Sequence, residues 1–201
     1  AATTDAVTSI DTTKAEVARA ALAAGAEIVN DVAGGQFDPA ILGVVDDAGA
    51  GYVLGHLRGA NLAAVFAAEA PIAWTDVRDE LVAAVAALPA SLRGRTMIDP
   101  GIGVGKGADP ATNLALLAHC GALAAAVGRP ILVGPSRKRF LARVIGDRSG
   151  SLDEATVGAC LAAVAAGAHA VRVHDVAPVV AALAAYRSTA RSFVATSSGD
   201  V

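Results

Sequence analysis

The stretch Thr96-Met97-Ile98-Asp99-Pro100-Gly101-Ile102-Gly103-Val104-Gly105-Lys106 decides the reading of this chain. An apolar run ends in an acid and then in alternating glycines. Pro100 has no backbone N–H and stops ladder pairing. The glycines allow tight turns and close approach to a ligand. Asp99 therefore reads as the last residue of a buried strand, aimed beyond the strand's C-terminal end. A phosphate loop needs glycine at 100 and Ser or Thr at 107, where Pro100 and Gly107 stand. The dinucleotide pattern G-x-G-x-x-G fails too, because Lys106 takes the third glycine place.

Outward from this stretch the chain alternates strand and helix. Val7–Asp11, Glu27–Val32, Gly51–Gly59, Thr96–Asp99, Ile131–Gly134 and Ala170–Asp175 are short apolar runs suited to buried parallel strands. Helix signals fall between them. Thr13 and Glu16, and again Ser151 and Glu154, have capping-box spacing. Asp38-Pro39 and Asp109-Pro110 pair an N-cap residue with proline at the first helical position. One helix is expected from 110 to 128 and a last one over 178–191, with a disordered tail at 192–201. Such alternation fits either a doubly wound sheet or a (β/α) barrel. No nucleotide fingerprint supports the first, and six units are two short of a full barrel.

The 201 residues form one domain with a core built mostly of Ala, Val and Leu, since the chain is 54% hydrophobic but only 3% aromatic. A net charge of −3 without basic blocks argues against nucleic-acid or anionic-membrane partners. Mean hydropathy is +0.53, yet the Val157–Val171 run carries His169 and reads as a buried helix leading into a strand. Cys120 and Cys160 match no metal spacing and read as small buried hydrophobes. A cytoplasmic location is expected, as no disulfide framework or signal peptide is legible. Ala1 in place of Met hints at a trimmed or partial chain.

Polar residues gather at the strand exits: Asp11, Asn30, Asp99, and Arg172 with His174, while Lys138 and Arg58 lie just past two others. In parallel α/β proteins those exits share one face, where ligands bind. Each residue has a structural alternative. Asp11 could cap the next helix, Asn30 could shape a turn, and Lys138 could be solvated. Arg172, placed inside a buried strand, is the least comfortable as structure. Arg58 reads as a loop-positioning residue, and His56 and His119 read as structural. As a set, the strand-exit residues suit a planar, nitrogen-rich ligand with an anionic tail. Carboxylates and an amide would meet its N–H groups, Lys138 a ring carbonyl, and Arg172 with His174 the phosphate oxygens.

The segments 9–22 (SIDTTKAEVARAAL), 25–35 (GAEIVNDVAGG), 56–59 (HLRG), 98–106 (IDPGIGVGK), 132–140 (LVGPSRKRF) and 172–176 (RVHDV) resemble the dihydropteroate synthase family, in that family's order. The resemblance implies a TIM-type (β/α) barrel lacking its first two strand–helix units, so six βα units here. It implies condensation of a dihydropterin methyl diphosphate with p-aminobenzoate, releasing pyrophosphate, in folate biosynthesis. Asp11, Asn30, Asp99 and Lys138 would then hold the pterin, and Arg172 and His174 the leaving diphosphate. Lys138, Arg172 and His174 would serve catalysis. Magnesium is implied, bound mainly through the diphosphate, since the family's Asn ligand precedes the matched segments. A homodimer is also implied. Val104 stands where the family usually has Phe, and Arg139 where Ser is common, so the acceptor side is altered. Two other readings stay open: a non-catalytic pterin-binding relative, and a methyltetrahydrofolate-using methyltransferase, against which SRKRF and RVHD argue.

Overall fold

The apolar runs form parallel strands that follow one another in chain order. The computed structural model describes residues 5–67, 70–106, 109–146 and 151–197. Strands β1 (Ser9–Asp11), β2 (Ile28–Asp31), β3 (Gly51–Gly55) and β4 (Thr96–Asp99) make one sheet in the order β1-β2-β3-β4. Strands β5 (Leu132–Val133) and β6 (Ala170–Val171) pair with each other. A parallel bridge from Ile98 to Ile131 and a 2.9 Å bond from Ile98 N to Pro130 O join the two groups. Doubly wound sheets reverse strand order at a switch point. No reversal occurs among the described strands, so none of them supplies the switch point of a doubly wound sheet.

Helices α1 (Ala15–Ala23), α2 (Ala40–Asp47), α3 (Leu62–Ala67), α4 (Trp74–Ala87) and α5 (Ala90–Arg93) fill the connections up to β4. Beyond it come α6 (Pro110–Ala118), α7 (Cys120–Val127), α8 (Arg139–Ile145), α9 (Leu152–Ala165) and α10 (Val176–Ser197). The core lies between helices and strands: Val29, Ile98, Ile131 and Val133 from the strands meet Ala18, Ile41, Leu81, Leu116, Leu123 and Ala163, all fully buried. Small helix residues let the layers approach closely, so alanine replaces aromatic bulk in this core.

Two of the expected local helix caps form. Asp109 accepts from Ala111 N at 2.8 Å with Pro110 in the first turn, and Ser151 with Glu154 closes a reciprocal capping box. The Thr13/Glu16 box does not form. Asp38 Oδ2 instead accepts from Ala15 N at 2.7 Å, capping α1 from 23 residues away. The single helix expected over 110–128 is broken at His119, with a 66° bend between α6 and α7. His119 stacks on Trp74 at 4.1 Å between ring centroids, which fits its structural reading. The last helix continues through Ser197, past the expected end at 191, so residues 192–197 of the expected tail are helical; 198–201 lie outside the described residues. No single described helix is long and apolar enough to cross a membrane.

Strand β2 shows how the period of two sorts residues by role. Its consecutive residues Asn30 and Asp31 send their side chains to opposite sides. Asp31 is fully buried and accepts from Ala33 N (2.9 Å), Gly35 N (2.7 Å) and the Tyr52 hydroxyl (2.9 Å). Burial pushes its carboxyl up, and those donors pull it back. Asp31 thus braces the turn after β2. Asp31→Ala leaves three buried donors unpaired and should cost about 3 kcal/mol or more, at roughly 1–3 kcal/mol per orphaned group. Urea unfolding checks this; a loss under about 1 kcal/mol would refute the bracing role.

Candidate functional site

The strand ends bring most of the expected polar residues to one place. Asp11 and Asn30 sit opposite each other in the β1–β2 register, and Asp99 faces Gly55 across β3–β4. Asn30 Nδ2 donates to Asp11 Oδ1 at 3.2 Å, and Arg172 Nη2 donates to Asp11 Oδ2 at 2.5 Å. Asn30, Asp99, Lys138 and Arg172 line a cavity of about 50 Å³ with Val104 and His56. A second cavity of about 250 Å³ shares Gly134, Lys138 and Arg172 and adds Ser136 and His174. The site therefore has a carboxylate-and-amide end and a cationic end, with Lys138 and Arg172 common to both.

Asp99 is held by the turn that follows it. Gly101 N donates to its Oδ1 at 2.8 Å. Burial pushes the Asp99 carboxyl up, while the Gly101 bond and the charges of Lys106, Lys138 and Arg172 oppose that rise. Lys138 is lowered by burial, with Asp99 opposing. Its stem lies over Gly103: a Cβ there would sit 2.8 Å from Lys138 Cδ. The residue before it, Arg137, has φ 55°, an uncommon left-handed backbone for a non-glycine residue. Arg137 is tied down by its N–H to Thr156 Oγ1 (3.1 Å) and by an ion pair with Asp153 (2.7 Å). That strained turn aims Lys138 at the strand exits.

Arg172 corrects its expected setting. Strand β6 ends at Val171, so Arg172 lies just beyond it, with 54% of its side chain exposed and paired to Asp11. Its presence needs no argument from a buried charge. The two residues expected at opposite ends of a ligand are joined in this structure. His174 Nδ1 lies 2.8 Å from Ser136 Oγ, and Ser136 is buried. Arg58 holds the loop after β3 to α4 through Glu80 and Asp76.

The sequence does not mark Ser136 or His56 as ligand-facing, yet both line the cavities, and Lys106 is buried against His56. Ser136 sits in the SRK turn, whose spacing was legible. His56 lines the smaller cavity although it reads as structural from sequence alone. Lys106 is 2% exposed, and nothing in a sequence marks a lysine for burial. Among the described residues no group of three or more His, Cys, Asp or Glu could cage a metal.

Fold and site together define a parallel α/β protein with a candidate site at its C-terminal strand ends. A model of the pterin-binding enzyme family matches residues 1–174, and the chain belongs to that family. The dihydropteroate synthase of Mycobacterium leprae is 43% identical over 190 residues, covering 87% of this chain and 64% of the relative. That of Synechocystis is 40% identical over 171 residues, covering 84% and 58%. Among solved structures, Xanthomonas albilineans dihydropteroate synthase with 4-aminobenzoic acid matches with a TM-score of 0.81 and 36% identity, over 92% of this chain and 66% of that one. The same enzyme is also known with 7,8-dihydropteroate bound, at a TM-score of 0.80. The chain spans about two thirds or less of the length of these relatives.

Proposed function

We propose that this chain is the pterin-binding part of a dihydropteroate synthase, a transferase that joins a dihydropterin methyl diphosphate to p-aminobenzoate. The observation that carries the reading is the division of the site. Asn30 and Asp99 line the smaller cavity and offer acceptors for amino and ring N–H groups, with Asp11 behind them bonded to Asn30 and Arg172, while Ser136 and His174 line the larger one and Lys138 and Arg172 line both. The relatives solved with 4-aminobenzoic acid and with 7,8-dihydropteroate support it. So does the curl expected of a (β/α) barrel lacking its first two strand–helix units: the end of β1 touches the residue after β6 through Asp11 and Arg172.

In this reading Asp11, Asn30, Asp99 and Lys138 grip the pterin and fix the methylene carbon relative to its partners. The carbon–oxygen bond to the diphosphate breaks, the arylamine nitrogen bonds that carbon, and the amine proton leaves to water. Arg172, Lys138 and His174 stabilise the charge that grows on the departing diphosphate. Arg172 must first leave Asp11, so pterin binding at Asp11 frees the guanidinium for the diphosphate. The donor set does not make a metal cage, so magnesium is assigned here only as a companion of the substrate diphosphate, and no step runs through it. A cytoplasmic homodimer accompanies the reading; exposed Val176 and Val180 on α10 offer apolar surface for a second copy.

The test is pyrophosphate release by the protein as its gene encodes it, with and without p-aminobenzoate. Release that requires both substrates is the expected result. Pterin binding without any release would instead favour a non-catalytic relative, which Val104 at the acceptor side makes the specific competitor.

A further inference from the structure

Lys106 ends the glycine-rich turn and is buried, with three acceptors around its three donors. Its Nζ lies 3.0 Å from His56 Nδ1 and 3.2 Å from the carbonyl oxygens of both His56 and Val104. The other ring nitrogen of His56 lies 2.7 Å from Glu80 Oε2, and Arg58 grips Glu80 from outside. An ammonium only donates and a carboxylate only accepts. His56 must therefore carry its proton on Nε2, donate to Glu80, and accept from Lys106 at Nδ1. Burial and the Lys106 charge depress His56 to about 4, which keeps it in that neutral form. A chain of contacts thus runs from the half-exposed Arg58–Glu80 pair inward to the turn that carries Asp99.

A buried ammonium without a carboxylate in direct contact is expensive, and a methionine would fill the space at less cost. The Lys106 contacts join the end of β3 to the turn after β4, and both His56 and Val104 line the cavity that Asp99 enters. The charged groups around Lys106 are Arg58 after β3, Glu80 on α4 and Asp99 on β4. Lys138 and Arg172 face Asp99 from the far side.

We propose that Lys106 is a positioning residue for Asp99: its bonds to His56 and Val104 hold the turn in which Gly101 N–H grips the Asp99 carboxyl, its charge favours the ionised form of that group, and Glu80 acts on it from the surface through His56. The proposal rests on reading Asp99 as a pterin ligand. Burial brings Lys106 down to about 8, with Asp99 and Glu80 opposing, so its charge is present below that pH and lost above it. Removing the charge lets burial push Asp99 further up. Removing the Glu80 charge lets Lys106 fall further.

The experiment follows Asp99 and Lys106 by side-chain NMR titration in the unliganded protein, with Asp99→Asn to assign the carboxyl, and pterin diphosphate affinity against pH in parallel. In Lys106→Met the Asp99 titration should rise by about one pH unit, and the acid limb of pterin binding should rise with it. A merely structural role would weaken binding equally at every pH. In Glu80→Gln, a substitution at a half-exposed side chain, the Lys106 titration should move to lower pH. An unmoved Asp99 in a folded Lys106→Met protein overturns the proposal; if that variant does not fold, an unmoved Lys106 in Glu80→Gln overturns it. A wild-type protein that titrates as expected yet binds no pterin overturns the ligand reading of Asp99, and the positioning role falls with it.

Discussion

Asp99→Asn should lower the proposed pterin diphosphate affinity by about 100-fold, or ~3 kcal/mol, while leaving the unliganded protein as stable as before or more so. The binding loss follows from the hydrogen bonds. Gly101 N occupies Oδ1 at 2.8 Å, which leaves the second oxygen for ligand N–H groups. Hydrogen bonds to a charged group contribute roughly 1.5–3 kcal/mol, and an asparagine NH₂ turned toward ligand donors adds repulsion. The stability effect has the opposite sign. Burial raises the Asp99 carboxyl, so its ionised form opposes folding at neutral pH, and that contribution fades as pH falls. The neutral amide removes the opposition. Calorimetric titration and a thermal melt on the same sample read both signs. Binding retained within about threefold, or a melt lowered by several degrees, would contradict this account of the site. Stability given up at a ligand-binding carboxylate is a familiar trade in functional sites.

Gly101→Ala should destabilise the protein by about 3 kcal/mol or more and reduce pterin binding at least as severely as Asp99→Asn. Two costs add. Gly101 has φ +73°, which costs an L-residue roughly 1–2 kcal/mol. A Cβ there would lie 2.1 Å from the carbonyl oxygen of His56 and 3.0 Å from Lys106 Nζ. The first is backbone at the end of β3 and cannot rotate away. The turn must therefore lift, which breaks the Gly101 N–H bond to Asp99 and separates Lys106 from His56. Gly43→Ala is the contrast: within α2, with open space around it and no positive φ, it should stabilise by about 0.5–1 kcal/mol. Equal denaturant midpoints for the two variants would refute the close-approach argument.

Much of the site was legible because strand exits announce themselves. Asp11, Asn30 and Asp99 each follow an apolar run, and parallel strands put those exits on one face. Lys138 was legible from its distance past β5. What could not be read was how these residues pair. Arg172 and Asp11 lie 161 residues apart and meet only because the sheet curls. Arg172 was therefore judged by a burial it does not have. Ser136 reads from the sequence only as part of a run that opens a short helix, and that helix begins later, at Arg139. It becomes part of the site only when the segment after β6 brings His174 Nδ1 within 2.8 Å of its hydroxyl.

What depends on near neighbours is written in the residues themselves: the alternation of strands and helices, the Asp109 and Ser151 caps, the left-handed Gly128 stop, and the polar strand ends. Those features need partners only a few residues away, so composition and spacing encode them. Tertiary structure alone decided the cap of α1 by Asp38, the break at His119 against Trp74, the Asp11–Arg172 pair and the burial of Lys106 against His56 and Glu80. Each is a choice between water and a distant partner. A charge or donor is stable in the interior only where the fold supplies its complement, and that complement comes from another strand or helix.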